Sequence, residues 1–442
     1  MSLPAHRSLL ALLTAVAVGC APQGDAPADG STASGAATGS PLAERCAPDN
    51  GGLTLPDGFC AWIAVDSLPG ARHVEVASNG DVLVALRDTR TTRDGPVRTG
   101  GVAVLRDADG NGILDAAGRF GETGGNDVVL HGGYLYFAPD DRVLRWPFPE
   151  GATEPAGAAE VLVTGLPATQ NHTAKSIAVS GDDLFVNIGS PSNACMQQSR
   201  TVGSPGQDPC PELDTRAGIW RFSASTPGQT QADGSRYATG LRNVVALRLH
   251  PGQDQLYGVV HGRDQLHGMW PERYTVEQNA ENPSEEFVRI TEGSDFGWPY
   301  CYHDPETGEK LLAPEYGGDG TEVGRCADAD MPLVGFPAHW APNDLEFYTG
   351  SQFPERYRGG AFVAFHGSWN RAPLPQAGYQ VAFVPAAGAS FGPEWETFAD
   401  GFRAEGADDT ARPVGLAVGP DGSLYVTDSV RGRIWRIVYA GS

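Results

Sequence analysis

Positive charge is scarce in this chain. Its 442 residues carry 31 lysines and arginines against 54 aspartates and glutamates, a formal net charge of −23. Repulsion of that size disfavours a nucleic-acid or anionic-membrane surface, and any cluster of arginines therefore stands out as functional. No C-x-x-C couple and no accompanying histidine pair is present, which disfavours a structural zinc site. The absence of C-x-x-C-H excludes covalently attached haem. No glycine-rich fingerprint follows a strand and opens a helix, so a nicotinamide cofactor is not expected. A helical hydrophobic period of convincing length is also missing.

The apolar run near the N-terminus, Leu9 to Val18, is too short to span a membrane as a mature helix, and it follows His6 and Arg7. It ends in Ala17-Val18-Gly19-Cys20, small residues directly before a cysteine, an arrangement that resembles a bacterial lipobox. Residues 1–19 are therefore expected to be a lipoprotein signal peptide, with Cys20 the lipidated first residue of the mature chain. Residues 20–45, rich in Ala, Gly, Ser and Pro, form the expected flexible tether, because such composition cannot bury surface. Export and a lipid anchor in the cell envelope follow as expectations. Ala21 favours the outer membrane, facing the periplasm, if the organism is Gram-negative.

The other six cysteines fall in three sequence-local couples, Cys46 with Cys60, Cys195 with Cys210 and Cys301 with Cys326. Each couple closes a short loop, and structural disulfides suit an oxidising compartment.

What the chain has in abundance is turn chemistry, with 58 glycines and 34 prolines. One phrase recurs: an apolar strand, a tight polar turn, a second strand. Its clearest copy runs from Val414 to Asp428 around Pro420-Asp421-Gly422, where glycine supplies the positive φ a hairpin turn requires. Five more copies lie at Val74–Leu86, Val128–Phe137, Ile177–Ile188, Val245–Val260 and Leu345–His366. Six such units predict an all-β fold, a six-bladed β-propeller of four-stranded antiparallel blades over residues 46–442, with long inter-blade loops. A single β-sandwich would not need six similar units.

Several blade-entry and loop segments are richer in special residues than a scaffold needs. They are Asn171-His172-Thr173-Ala174-Lys175, Gly240-Leu241-Arg242-Asn243, His261-Gly262-Arg263-Asp264, Phe296-Gly297-Trp298-Pro299, His339-Trp340, His366 to Arg371, and Arg412-Pro413. His172, Arg242 and Arg412 share the blade-entry position in three blades, so the fold would bring them to the mouth of the central channel.

Gly240-Leu241-Arg242-Asn243, Phe296-Gly297-Trp298-Pro299, the run from Tyr357-Arg358-Gly359-Gly360 to Arg371 and the final Asp-Gly blade, in this order and blade position, resemble the glucose/sorbosone dehydrogenase family from about residue 70 onward, and the sorbosone-type branch most of all. The resemblance implies a sugar dehydrogenase that binds pyrroloquinoline quinone (PQQ) and Ca²⁺. It casts His172 as the general base and Arg242 as the group stabilising charge on the reduced quinone. Asn243, Lys175, Gly262, Arg371 and Arg412 are the implied cofactor contacts, the arginines suiting carboxylates by bidentate pairing. Backbone oxygens of Gly262 and Arg263 are the implied calcium ligands.

Trp340 and Trp369 are candidates for a sugar platform, with blade packing as the alternative. Electrons would pass to an external acceptor, a cytochrome or a quinone. The chain departs from the family twice: the sorbosone-type pattern before Arg263 carries Asn-Glu where this chain has His261-Gly262, and glucose-oxidising relatives carry arginine at Thr410.

Separately, Asp107, Asp109, Asn111 and Asp115 alternate oxygen ligands around Gly110 and Gly112, as a calcium loop does, although position twelve is Gly118 and a plain hairpin turn would read the same. Two other functions share the fold: a calcium-dependent hydrolase of lactonase type, and a non-catalytic binding propeller.

Overall fold

The structure is a computed structural model, and it describes residues 42–90, 95–403 and 410–441. The expected signal peptide, Cys20 and most of the tether lie outside the described residues. Among the described residues six antiparallel sheets carry the fold, interrupted by two short α-helices, Leu266–Met269 and Val276–Glu281, and by short 3-10 turns. The chain is the expected all-β six-bladed propeller.

Each repeat seen in the sequence is the inner hairpin of one blade. The first strands are Ala71–Val76, Asp127–His131, Ile177–Ser180, Ala246–His250, Pro342–Phe347 and Pro413–Val418. Each packs beside the first strand of the next blade, and the last returns to the first, closing a ring around the channel. Two further strands complete each blade outward; blade 2 also gains a short parallel strand, Gln229–Thr230.

Blade 6 is completed from the other end of the chain. Phe59–Val65 pairs antiparallel with Ile434–Tyr439 as its outermost strand. Phe59 then sits edge-on to Phe353, Tyr357 and Phe398, with ring centroids 4.8–5.3 Å apart. The ring is thereby fastened by β-pairing between segments that are remote in sequence.

Between blades, polar side chains cap the inner strands. Asp127 accepts from the Ile177 amide (2.8 Å), Asn187 from Val244 (3.2 Å) and Asp344 from Leu416 (2.7 Å). Buried strand-end amides need such partners, because an unpaired one costs the full desolvation penalty. The channel itself is filled with charge. His73 bridges Asp127 (3.0 Å) and the Asn343 carbonyl (2.7 Å), and Arg248 lies between Glu75 and Glu346.

All three cysteine couples form disulfides. The Asp107–Asp115 segment is a polar turn in which Asp109 and Asn111 bond each other and nearby backbone. Asp107 accepts from the Gly112 amide (3.0 Å) and lies 3.5 Å from Arg45, while its other oxygen is buried without a partner. Among the described residues, Asp107, Asp109 and Asp115 do not bring their oxygens within 4.8 Å of one another.

Candidate active site at the channel mouth

In an up-and-down blade, the segment before the first strand and the one after the second strand emerge on the same face. The segments singled out in the sequence occupy these positions, and most of their side chains meet there.

His172 precedes the inner strand of blade 3 in a left-handed conformation, φ 53°. Its Nδ1 lies 2.8 Å from the Ser190 carbonyl and 3.0 Å from Ser190 Oγ. A carbonyl can only accept, so Nδ1 carries the proton and Nε2 keeps its lone pair. Burial, and then the nearby Arg242 guanidinium, push the imidazole pKa well below its usual value. The ring is a neutral base at ordinary pH.

Arg242 enters blade 4 at the equivalent position. The turn before it admits only glycine at Gly240, whose φ is 70° and where a Cβ would lie 2.4 Å from Asp295 Oδ1. Arg242 is only 4% exposed and is held by Asn193: Nε donates to its carbonyl (3.3 Å) and Nη2 to its Oδ1 (3.0 Å). Nη2 also meets Asp264 at 3.0 Å. Asp264 in turn accepts from Asn370 (2.8 Å) and lies 3.8 Å from His339. Asn243 is buried beside these residues and accepts from Asn187 (3.4 Å).

The carbonyls of Gly262 and Arg263 accept no hydrogen bond from any described residue. A Cβ at position 262 would lie 2.8 Å from the Ser284 carbonyl, so a larger residue does not fit there. The neighbouring carboxylate comes instead from Glu285, which accepts from the amides of Gly262 (2.7 Å) and Ala341 (3.1 Å). Burial pushes Glu285 up to about 8. Arg263 turns away from the mouth into a buried pair with Glu315.

Cations crowd the rest of the rim. Arg412 donates to the His366 and Gly367 carbonyls (3.3 and 3.1 Å) and lies over the Tyr379 ring. Burial lowers His366 well below the usual imidazole value, and Arg72, Arg412 and Arg87 add to it. His261 falls to about 4, through burial and then Arg242. Arg72 itself drops to about 10, through burial and then Arg87. Like charges in a small volume account for these depressions once burial has acted.

Sequence reasoning missed Arg72, Arg87, Asn193 and Glu285. Arg72 opens blade 1 much as Arg242 opens blade 4, and that shared position was visible in the sequence. Asn193 and Glu285 act through tertiary contacts that no spacing announces.

Other expected site residues face elsewhere. Lys175 is fully buried, its Nζ donating to the carbonyls of Pro167 and Thr173. Arg371 donates to the Pro375, Ala280 and Ala338 carbonyls, and it borders a separate cleft that Tyr274 and Trp395 also line. Trp340 packs edge-on against Phe365 and Trp395 at 5.3 and 5.4 Å, which is blade packing. Trp369 is 62% exposed and free to meet a ligand.

A six-bladed propeller whose channel mouth joins a neutral histidine to a cluster of arginines is the frame for an anionic ligand and base chemistry. The TrAA12-like family model matches residues 53–440, and the chain belongs to that family.

The PQQ-dependent pyranose dehydrogenase of Coprinopsis cinerea is 26% identical over 89% of this chain, but the match covers 53% of that protein. An uncharacterised protein of Borreliella burgdorferi is 28% identical over 46% of this chain and 48% of its own length. The chain thus spans about half the length of the curated relatives it matches.

Among solved structures, the holo PQQ domain of the Coprinopsis cinerea pyranose dehydrogenase has a TM-score of 0.70 at 21% identity, covering 87% of this chain and 97% of that one. The calcium structure of the Trichoderma reesei family AA12 protein has a TM-score of 0.67 at 19% identity, covering 88% and 97%. At these identities the two structures support the fold.

Proposed function

We propose that this protein oxidises a sugar or sugar aldehyde with bound PQQ and Ca²⁺ and passes the electrons to an external cytochrome or quinone. The observation that carries the reading is His172, a neutral base fixed by Ser190, beside the buried cation Arg242 at the channel mouth. When bound, PQQ supplies a quinone carbon that accepts hydride, and calcium polarises the quinone carbonyl as a Lewis acid.

The residues present fit both groups. The arginine-rich mouth of an acidic protein suits a planar ligand bearing carboxylates, for which Arg412, Arg72 and Arg87 are the proposed partners and Asn243 a further contact. The unpaired carbonyls of Gly262 and Arg263, with Glu285 behind them, are oxygen donors of the kind a hard cation takes.

In this reading His172 Nε2 takes the substrate hydroxyl proton, while its Nδ1–H stays on the Ser190 carbonyl and keeps the ring aimed. Arg242 stays charged, held by Asn193 and Asp264, and faces the negative charge that develops on reduction. Trp369 offers a face for a sugar ring.

The test is dye-linked oxidation of an aldose and sorbosone panel by apo-protein supplied with PQQ and Ca²⁺. Turnover that requires both additions supports the proposal, and a sorbosone preference would support the sorbosone-type branch. PQQ binding with no turnover on any sugar would overturn the proposed chemistry.

A further inference from the structure

His172 sits in a backbone conformation that a β-carbon-bearing residue adopts only when its surroundings enforce it, φ 53°. The chain on both sides of it is clamped by buried cations. On the N-terminal side, Arg216 donates from Nη2 to the Asn171 carbonyl (3.1 Å) and from Nε to the Gly189 carbonyl (2.7 Å). Gly189 packs against the His172 backbone and Cβ, where an added Cβ would come within 2.6 Å of the His172 Cβ. On the C-terminal side, Lys175 donates to the Thr173 carbonyl and to the Pro167 carbonyl (2.8 Å).

Arg216 is 6% exposed and Lys175 is wholly buried. Among the described residues their hydrogen bonds go to carbonyls, and Glu212 is the acidic group near Arg216. Asp140 and Asp141 are the acidic groups near Lys175, and Asp140 is engaged by Thr173 Oγ1 at 2.8 Å. Burying two cations solely to hold loop carbonyls is costly unless the loop's geometry matters.

We infer that Arg216 and Lys175 are positioning residues that lock His172 in the orientation its base role requires. This rests on the reading of His172 as the base, and it gives Lys175 a role different from the cofactor contact implied by resemblance. Arg216 sets the peptide before the histidine and the Gly189 backbone packed against its Cβ; Lys175 sets the peptide after it. The Ser190 carbonyl can then hold Nδ1–H only while both clamps are closed.

The experiment uses the full chain with Lys175→Met, which replaces the buried cation by an apolar chain of similar length, and Arg216→Lys, which removes one of two bonds. Nitrogen-15 histidine spectra of the apo-protein, with His172 assigned through His172→Gln, report the Nδ1–H directly. Both variants should broaden or lose a slowly exchanging His172 Nδ1–H while melting cooperatively. With PQQ and Ca²⁺ added, kcat should fall about 10- to 100-fold with KM within about twofold.

Variants that keep the Nδ1–H signal and kcat within about twofold of the parent would overturn the inference. Should Arg216→Lys not fold, Lys175→Met alone decides. If no variant or parent turns over sugar, the functional proposal fails, while the Nδ1–H signal still decides whether the clamps hold His172.

Discussion

At the scale of single residues, the site depends on His172 being a neutral base and Arg242 a permanent cation. His172→Ala should abolish turnover, a loss of at least about 100-fold, while PQQ binding persists; loss of binding instead would make His172 a cofactor contact.

The sign of the pH dependence follows from the depressed imidazole pKa. The base works unprotonated, so activity fails as pH falls through the His172 value, which burial and Arg242 hold well below 6.5. The acid limb of kcat should therefore lie well below pH 6.5, and a limb at or above it would contradict the assignment. Asn193→Ala should lower kcat by about 10-fold, because it removes the Oδ1 that accepts from Arg242 Nη2 and leaves only the backbone carbonyl on Nε; pre-steady-state kinetics would show the loss in the chemical step.

The residues legible in sequence were those placed by strand register, His172, Arg242 and Arg412. Lys175 and Arg371 were misdirected because a sequence shows a cation and its blade but not the carbonyl it will satisfy. Trp340 illustrates the same limit for an aromatic ring, whose packing partners lie in Phe365 and Trp395.

At the scale of elements, the six inner hairpins were readable because glycine-bearing turns and apolar runs are local signals. The strand Phe59–Val65 was not, since its partner is nearly the whole chain away and its register is set by closure of the ring. Phe59→Ala should destabilise the fold by about 3–5 kcal/mol, the usual cost of deleting a buried aromatic ring, and denaturant unfolding would measure it.

The Cys195–Cys210 disulfide closes a loop that begins two residues after Asn193 and so anchors the segment carrying it. Replacing both cysteines by alanine should cost about 3 kcal/mol through loop entropy alone and should loosen Arg242 as well. A fall in melting temperature with unchanged kcat would mean that the loop holds Asn193 without its crosslink.

At the scale of the whole molecule, the propeller is an acidic ring closed on itself, with arginines gathered at the mouth of its channel. That contrast would draw an anionic ligand to the mouth, with an attraction that weakens as salt rises. We propose that Cys20 carries lipid and keeps the propeller at the cell envelope, near its electron acceptor. Cys20→Ala should move the protein from the membrane to the soluble fraction.

The measurement closest to the central claim is titration of PQQ into purified apo-protein with Ca²⁺, followed by sugar-dependent dye reduction. Saturable PQQ binding, with turnover that needs both additions, is the predicted result. An apo-protein that does not bind PQQ in the presence of Ca²⁺ would contradict the account.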